Sequence, residues 1–349
     1  MKNRKKILYI STNDGSDMRI NKEIKSLHMH FEVIFIGMGL TNENCYIKDL
    51  CKEIYIVIGS KKNLFTFLKH FFIVIKALLK HKINSIHLIN EKLVLIYYPI
   101  LFFKYSVLDL FDSVFLLSNM SKNKGLLLKL FIYAPINKII VTDKNRYDLM
   151  PNILKRRLLI LPNYPNKMIA TSKKTASKNL RIMYFGWMGL GRGTEIVEGL
   201  ISIDPNIKVY MAGWFSDKYT EQIIQKYPLQ IEYLGVIKQN KALDFSSKNA
   251  DYILCVYRPT NDNNINASPN KIYDAISIDT PIIINSEVKI SSWVIENKLG
   301  YVIDEYLVSD FMKLKIDLQD FKHSYVPPKL LKDELNWENC QEILWEAHK

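Results

Sequence analysis

A chain of 349 residues, 48% of them hydrophobic, is long enough for two domains with full cores. Its net charge of +13 resides in the first half, where residues 1–165 hold 26 Lys/Arg against 12 Asp/Glu and the remainder 22 against 23, an asymmetry that points to an anionic partner such as nucleic acid or a membrane surface. The four cysteines, Cys45, Cys51, Cys255 and Cys340, show neither C-x-x-C nor metal-ligand spacing, and with no secretory leader ahead of the strand at Lys6 the expected setting is a reducing cytoplasm.

The opening KKILYIST predicts a buried strand, followed by a polar loop at Asn13–Asp17, a helix from Met18 and a second strand from Glu32. Strand, glycine loop, helix and strand begin a doubly wound sheet, in which ligands bind beyond the carboxyl ends of the strands. Gly15, Asp17 and Arg19 therefore fall where a site would lie. IYIVIG (54–59) and SIHLIN (85–90) continue the strands, and Asn90 ends the latter.

Between them, residues 61–82 predict a helix with Leu64, Phe67, Leu68, Phe71, Phe72, Ile75, Leu78 and Leu79 on its apolar side and lysines elsewhere. Two readings stand for it: a basic helix lying in an anionic membrane interface, or a crossover helix packed on the sheet with its basic face in water. Residues 93–103 are apolar but too short to span a bilayer and contain Pro99, so they read as a buried helix. SVLDLFDSVF predicts a strand carrying Asp109 and Asp112, two carboxylates suited to acid/base work. NKIIVTD (137–143) and RLLILPNYP (157–165) are the last strands of the first domain. The polar residues 166–178 are the expected linker.

The second half restarts the pattern. LRIMYFG runs into a loop with Gly189, Gly191, Arg192 and Gly193 ahead of a helix, a cradle for phosphate oxygens with a fixed cation beside it. The spacing departs from the dinucleotide G-x-G-x-x-G. Strands at 208–214, 231–236 and 251–258 bring Gly213 with Trp214, Val236 with Ile237, and Tyr257 with Arg258 to one sheet edge, where the first two pairs can hold a base. In Asn266-Ala-Ser-Pro-Asn-Lys-Ile-Tyr-Asp274, Ser268 is the expected N-cap and Pro269 the first helical residue, so that the N–H groups of Asn270 and Lys271 face an anion. Asp274, one turn further on, is placed for ribose hydroxyls. A strand GYVID and a terminal helix over 336–349 close the chain.

These segments resemble the GT-B glycosyltransferases, and family 4 in particular, over nearly the whole length. SDMRINKEIKSL is similar to that family's first loop and helix, IHLINE and VLDLFD to its His-Ala-His-Asp and Tyr-Asp-x-His-Glu segments, and GLGRGTE to its donor-diphosphate loop. SPNKIYDAISIDTPIII is similar to Pro-x-Lys-x-x-Glu-Tyr with its Gly-x-Pro-Val-Ile continuation, and is the specific match. The resemblance implies two Rossmann-like α/β domains facing a cleft. Residues 1–165 would bind the acceptor and 179–335 a nucleotide-sugar, with 336–349 packing back on the first domain. Arg192 and Lys271 would neutralise the diphosphate without a metal or other cofactor, and Asp274 would stand for the second glutamate of E-x7-E. Three positions depart from the family: Asn266 replaces the first glutamate, Trp187 an arginine whose duty would pass to Arg258, and Phe111-Asp112 a His-Glu pair. Asp112 and Asn266 are the candidate catalytic positions.

The function so implied is retaining transfer of a sugar to a lipid-linked glycan, as in capsule, O-antigen or other surface-polysaccharide assembly, by a protein on the inner face of the cell membrane. The alternative is a nucleotide-sugar-binding pseudoenzyme or partner subunit, which Asn266 favours. The lysines are not interleaved with a nucleic-acid-binding motif.

Overall fold

Runs such as ILYI and VIFI carry no charge, the composition of strands covered on both faces, and in the computed structural model they are strands of all-parallel sheets. Residues 4–40, 45–167 and 177–349 are described, so most of the expected linker lies outside the described residues. Two units are distinguished, Met1–Asn163 with Trp337–Lys349, and Tyr164–Asn336.

The first unit holds β1 (Lys6–Ile10), β2 (Glu32–Gly39), β3 (Glu53–Ile58), β4 (Ser85–Ile89), β5 (Tyr105–Asp109), β6 (Lys138–Val141) and β7 (Leu158–Ile160), in the order β3-β2-β1-β4-β5-β6-β7. In β1, Leu8 pairs in register with Ile34 of β2 and Ile86 of β4, all fully buried. The order reverses between β1 and β4, the point at which ligands bind in open sheets of this kind.

Helices α1 (Met18–His28), α2 (Leu64–Lys80), α3 (Glu91–Leu101) and Leu126–Tyr133 cover this sheet. The docking face of α2 differs from the expected apolar one. It buries Thr66, His70, Val74 and Ala77, while Leu64, Phe65, Leu68, Phe72 and Leu79 stand in solvent beside Lys69, Lys76 and Lys80. The reason is close packing: Thr66, Val74 and Ala77 are small enough to let the helix approach the sheet, and His70 meets the Tyr97 hydroxyl of α3. Residues 93–103 are likewise not buried throughout, because Leu95, Phe102 and Phe103 are exposed. Asp112 lies beyond β5, in a loop.

The second unit holds β8 (Arg181–Met188), β9 (Lys208–Phe215), β10 (Ile231–Tyr233), β11 (Tyr252–Leu254), β12 (Ile282–Asn285) and β13 (Gly300–Ile303), in the order β10-β9-β8-β11-β12-β13. Its reversal lies between β8 and β11. Helices Thr194–Ile203, Gln239–Asn249 and Asn270–Ser277 follow β8, β10 and β11. The expected cap of the last helix shifts by one residue. Pro269 is the N-cap, in an extended conformation, and Asn270 is the first helical residue. Ser268 does not cap; its hydroxyl bonds the Tyr273 hydroxyl at 3.0 Å.

The expected terminal helix is two short helices, Trp337–Cys340 and Glu342–Ala347, in the first unit. Ser26 anchors them: its hydroxyl and carbonyl accept from the Trp337 and Trp345 indole N–H groups, each at 2.8 Å.

Candidate functional site

In the second unit, the loop leaving β8 and the segment leaving β11 flank the point where strand order reverses. Gly191 and Gly193 have φ of 75° and 122°, and a Cβ on Gly193 would meet Leu254 at 2.7 Å, so this loop demands glycine there. The Arg258 N–H donates to the Gly191 carbonyl at 2.8 Å, tying the two segments together, and the Arg192 guanidinium lies over the Tyr257 ring at 5.6 Å.

The N–H groups of this loop are not held open for an anion. Gly189 N–H donates to the Tyr184 hydroxyl (2.7 Å), Leu190 N–H to Asp217 (2.8 Å), Gly191 N–H to Glu195 (2.9 Å) and Gly193 N–H to the Tyr306 hydroxyl (3.3 Å). Buried backbone donors take the nearest acceptor, and here the chain supplies it. The expected phosphate cradle thus differs in its means: two acids and two tyrosine hydroxyls of the chain itself cap the loop.

The Asn270–Ser277 helix offers more. Its first N–H groups, on Asn270 and Lys271, find no acceptor among the described residues. The Lys271 ammonium lies over the rings of Tyr184 and Phe185 at 5.4 and 5.6 Å, and makes no ion pair among the described residues. Burial pushes its pKa down from the ordinary lysine value, with Cys255 acting in the other direction. Gly186, at a φ of 91°, is where the β8 backbone passes this side chain: a Cβ there would lie 3.8 Å from Lys271 Cε. A desolvated cation with no ion pair among the described residues, at a helix N-terminus, can hold an anionic ligand.

One turn further, Asp274 is buried and accepts from the Gln239 side-chain amide at 2.9 Å on each oxygen. Gln239, first residue of its helix, escaped the sequence reading, because its link to Asp274 spans 35 residues. At the neighbouring strand ends, Trp187 and Trp214 stand opposite each other in register, with ring centroids 5.8 Å apart and exposures of 58% and 51%. Gly213 permits this approach, since a Cβ on it would lie 2.2 Å from the Gly186 carbonyl oxygen. Val236 is exposed and Ile237 half-buried just past Gly235, whose carbonyl accepts from the Gly213 N–H at 3.0 Å. Asn266 is buried at the end of the Asp262–Ile265 helix and donates from its side-chain amide to the Asp262 carbonyl at 2.7 Å.

In the first unit, Gly15 (φ 90°) and Asp17 shape the loop after β1, and Asp17 caps α1 through the N–H groups of Arg19 and Ile20. Arg19 is buried. Its guanidinium donates to Glu23 and Asp109, both at 2.8 Å, and to the Leu161 carbonyl at 3.2 Å. Burial opposes its charge, but the two carboxylates more than offset this and raise its pKa. His87 joins Glu23 and Asp109, and ligand atoms of the three lie within 4.8 Å of one another. The guanidinium already supplies a cation to both carboxylates.

Asn90 takes a φ of 62°, and its side-chain carbonyl accepts from the N–H groups of Phe111 (2.9 Å) and Asp112 (3.1 Å). Of the two expected carboxylates, Asp109 is therefore a buried ion-pair partner and Asp112 the one exposed to solvent.

No family model matches this sequence, and no curated protein matches it. Solved structures do. Sucrose-phosphate synthase from Thermosynechococcus elongatus is similar at a TM-score of 0.75 with 13% identity, over 99% of this chain and 98% of that one. Anabaena HepE, solved with UDP and glucose, is similar at 0.73 with 11% identity, over 99% of each chain. WaaG, a glycosyltransferase involved in lipopolysaccharide biosynthesis, is similar at 0.63 with 13% identity, over 98% of each. Two parallel-sheet Rossmann-like units with helices, matched over nearly their whole length by these enzymes, give the chain the GT-B fold.

Proposed function

We propose that this chain is a glycosyltransferase of the family 4 kind that moves a sugar from a nucleotide-sugar donor to a lipid-linked glycan in surface-polysaccharide assembly, with retention and without a metal. The observation that carries the reading is Lys271: a desolvated ammonium with no ion-pair partner among the described residues, at a helix N-terminus beside the strand reversal. Arg192 and Arg258 would add charge for the diphosphate, Asp274 with Gln239 would take the ribose, and the Gly213–Ile237 edge the base. Asp112 would serve the acceptor, as general base or hydroxyl anchor. The complexes of HepE with UDP and with UDP-glucose are in keeping with such a donor.

The test is a thermal-shift panel of uridine, guanosine and adenosine diphosphates and their sugars, followed by transfer assays. A ligand of the folded state present at 100 times its Kd raises stability by about 2.7 kcal/mol. No shift with any nucleotide overturns the reading. Nucleotide binding without transfer or hydrolysis favours the alternative, a nucleotide-sugar-binding pseudoenzyme or partner subunit, which the amide of Asn266 in place of a carboxylate supports.

The membrane reading rests on α2, the turn that ends α3 and the Leu126–Tyr133 helix, which together expose Phe65, Phe72, Phe102, Phe103, Leu127 and Phe131. Aromatic contacts run across them: Phe71 stacks on Tyr97, and Tyr98 meets both Phe102 and Phe131. With the lysines of α2 this makes an apolar surface edged by positive charge, suited to anionic lipid on the inner face of a cell membrane. No helix among the described residues is long and apolar enough to cross a membrane. Sedimentation with anionic liposomes is expected to carry the protein down, and F65S/F72S to leave it in the supernatant. Equal sedimentation of the variant counts against the surface.

A further inference from the structure

His348, next to last in the chain, is buried in the first unit with its ring in a chain of polar contacts. Its Nδ1 lies 2.8 Å from Ser85 Oγ, and its Nε2 lies 3.0 Å from Nδ1 of His87, in the middle of the sheet. The other nitrogen of His87, Nε2, faces Glu23 Oε2 at 3.4 Å. Glu23 accepts from the Tyr9 hydroxyl (2.7 Å) and from Arg19 Nε (2.8 Å), and Arg19 donates to Asp109.

From Arg19 the contacts continue to the loop after β5. Its guanidinium lies 5.0 Å from the centroid of the Phe111 ring, while the Phe111 carbonyl accepts from Arg146 at 2.7 Å. Asp112 is the next residue.

The proton positions follow from the end of this chain. Glu23 is an acceptor, which favours the His87 proton on Nε2 and leaves Nδ1 to accept. His348 must then donate from Nε2, and its Nδ1 accepts from the Ser85 hydroxyl. In this arrangement both rings are neutral, and His87 Nε2 faces Glu23 across 3.4 Å without a hydrogen bond among the described residues. Burial pushes the pKa of each ring below the ordinary histidine value, in keeping with this.

Nothing in the donor chemistry requires these groups. We propose that His348 and His87 are positioning residues for the Leu110–Ser113 loop, so that the C-terminal segment Trp337–Lys349 sets the placement of Asp112. The significance of Asp112 rests on the glycosyltransferase reading, whereas the coupling of tail to loop does not. The tail is thereby part of the acceptor-side machinery as well as a staple. Glu23, Arg19, Asp109 and Tyr9 face His87 from α1, β5 and β1; Ser85 and the Phe31 ring face His348, the latter at 6.0 Å.

The test compares H348L, which removes both polar contacts, with H348Q, whose amide retains one donor and one acceptor. The readout is peptide-level hydrogen exchange over residues 108–114 in the full chain. H348L is expected to exchange about tenfold faster there, the loss of roughly one hydrogen bond, and H348Q to stay near wild type. If H348L speeds exchange over 337–349 alone and leaves 108–114 unchanged, the coupling is overturned.

Should H348L not fold, nitrogen NMR of histidine-labelled wild type decides. Both rings are expected neutral with the proton on Nε2 at pH 7, and a proton on Nδ1 of either ring refutes the relay. Where wild type transfers sugar, H348L is expected to lower kcat about tenfold with the donor KM unchanged, and H348Q to restore it. Unchanged kcat and pH profile in H348L remove the role toward Asp112. A wild type that transfers no sugar refutes the glycosyltransferase reading, and the exchange comparison still decides the coupling.

Discussion

Gln239 donates from its side-chain amide to both oxygens of Asp274 at 2.9 Å, across two helices of the second unit. The carboxylate is buried and held in place before any ligand arrives. A ribose must share it with the amide or displace it. D274A is accordingly expected to weaken nucleoside diphosphate binding by about tenfold or more, in line with a charge-assisted hydrogen bond, and to leave inorganic pyrophosphate binding unchanged. Isothermal titration of both ligands checks this. Equal weakening of pyrophosphate would place Asp274 elsewhere than on the ribose.

Lys271 is expected to behave oppositely. K271M should lose affinity for pyrophosphate and nucleotide alike, by about ten- to a hundredfold. Burial lowers its pKa, so the ammonium gives up its proton at a lower pH than an ordinary lysine. Binding is therefore expected to decline with rising pH before the ordinary lysine range is reached. Titrations of wild type and K271R between pH 7 and 10 test it: arginine stays charged throughout, and its curve should be flat.

Acid should loosen the first unit. Burial lowers His70 and His87 to about 4, and moves His348 in the same direction. Each folded value lies below the unfolded one of 6.5, so the unfolded chain takes up protons first as pH falls. For His70 and His87 the stability contribution is complete above about 6.5 and is lost on the way down to about 4, at about 1.4 kcal/mol per pH unit for each of the two rings. Urea unfolding of wild type and H70Q at pH 7 and 5 checks the sign. H70Q should shrink the difference between the two pH values.

Much of the fold was legible because strands of parallel sheets are uncharged runs and the loops after them are polar and rich in glycine. ILYI of β1 and the loop at Asn13–Asp17 show this, as do IMYF of β8 and the glycines beyond that strand. The helix at Asn270 was read within one residue of its start, since Pro269 narrows the choices to two positions. The packing of α2 was not legible. Periodicity favoured Phe67 and Leu68 as one apolar side, but the helix rests on Thr66, His70, Val74 and Ala77, a face that only the sheet beneath it and the Tyr97 hydroxyl beside His70 select.

By itself, the sequence determined the two sheets, the helix N-terminus to within one residue of Asn270 and the concentration of positive charge in the first half. These are local properties, set by periodicity, backbone restriction and composition. Tertiary structure alone decided the distant partners: Asp217 on the Leu190 amide, Gln239 on Asp274, Asp109 on Arg19, and His348 against His87 across 261 residues. Which polar groups meet is fixed by the need to satisfy each of them once buried, and that need arises only when distant segments close over them.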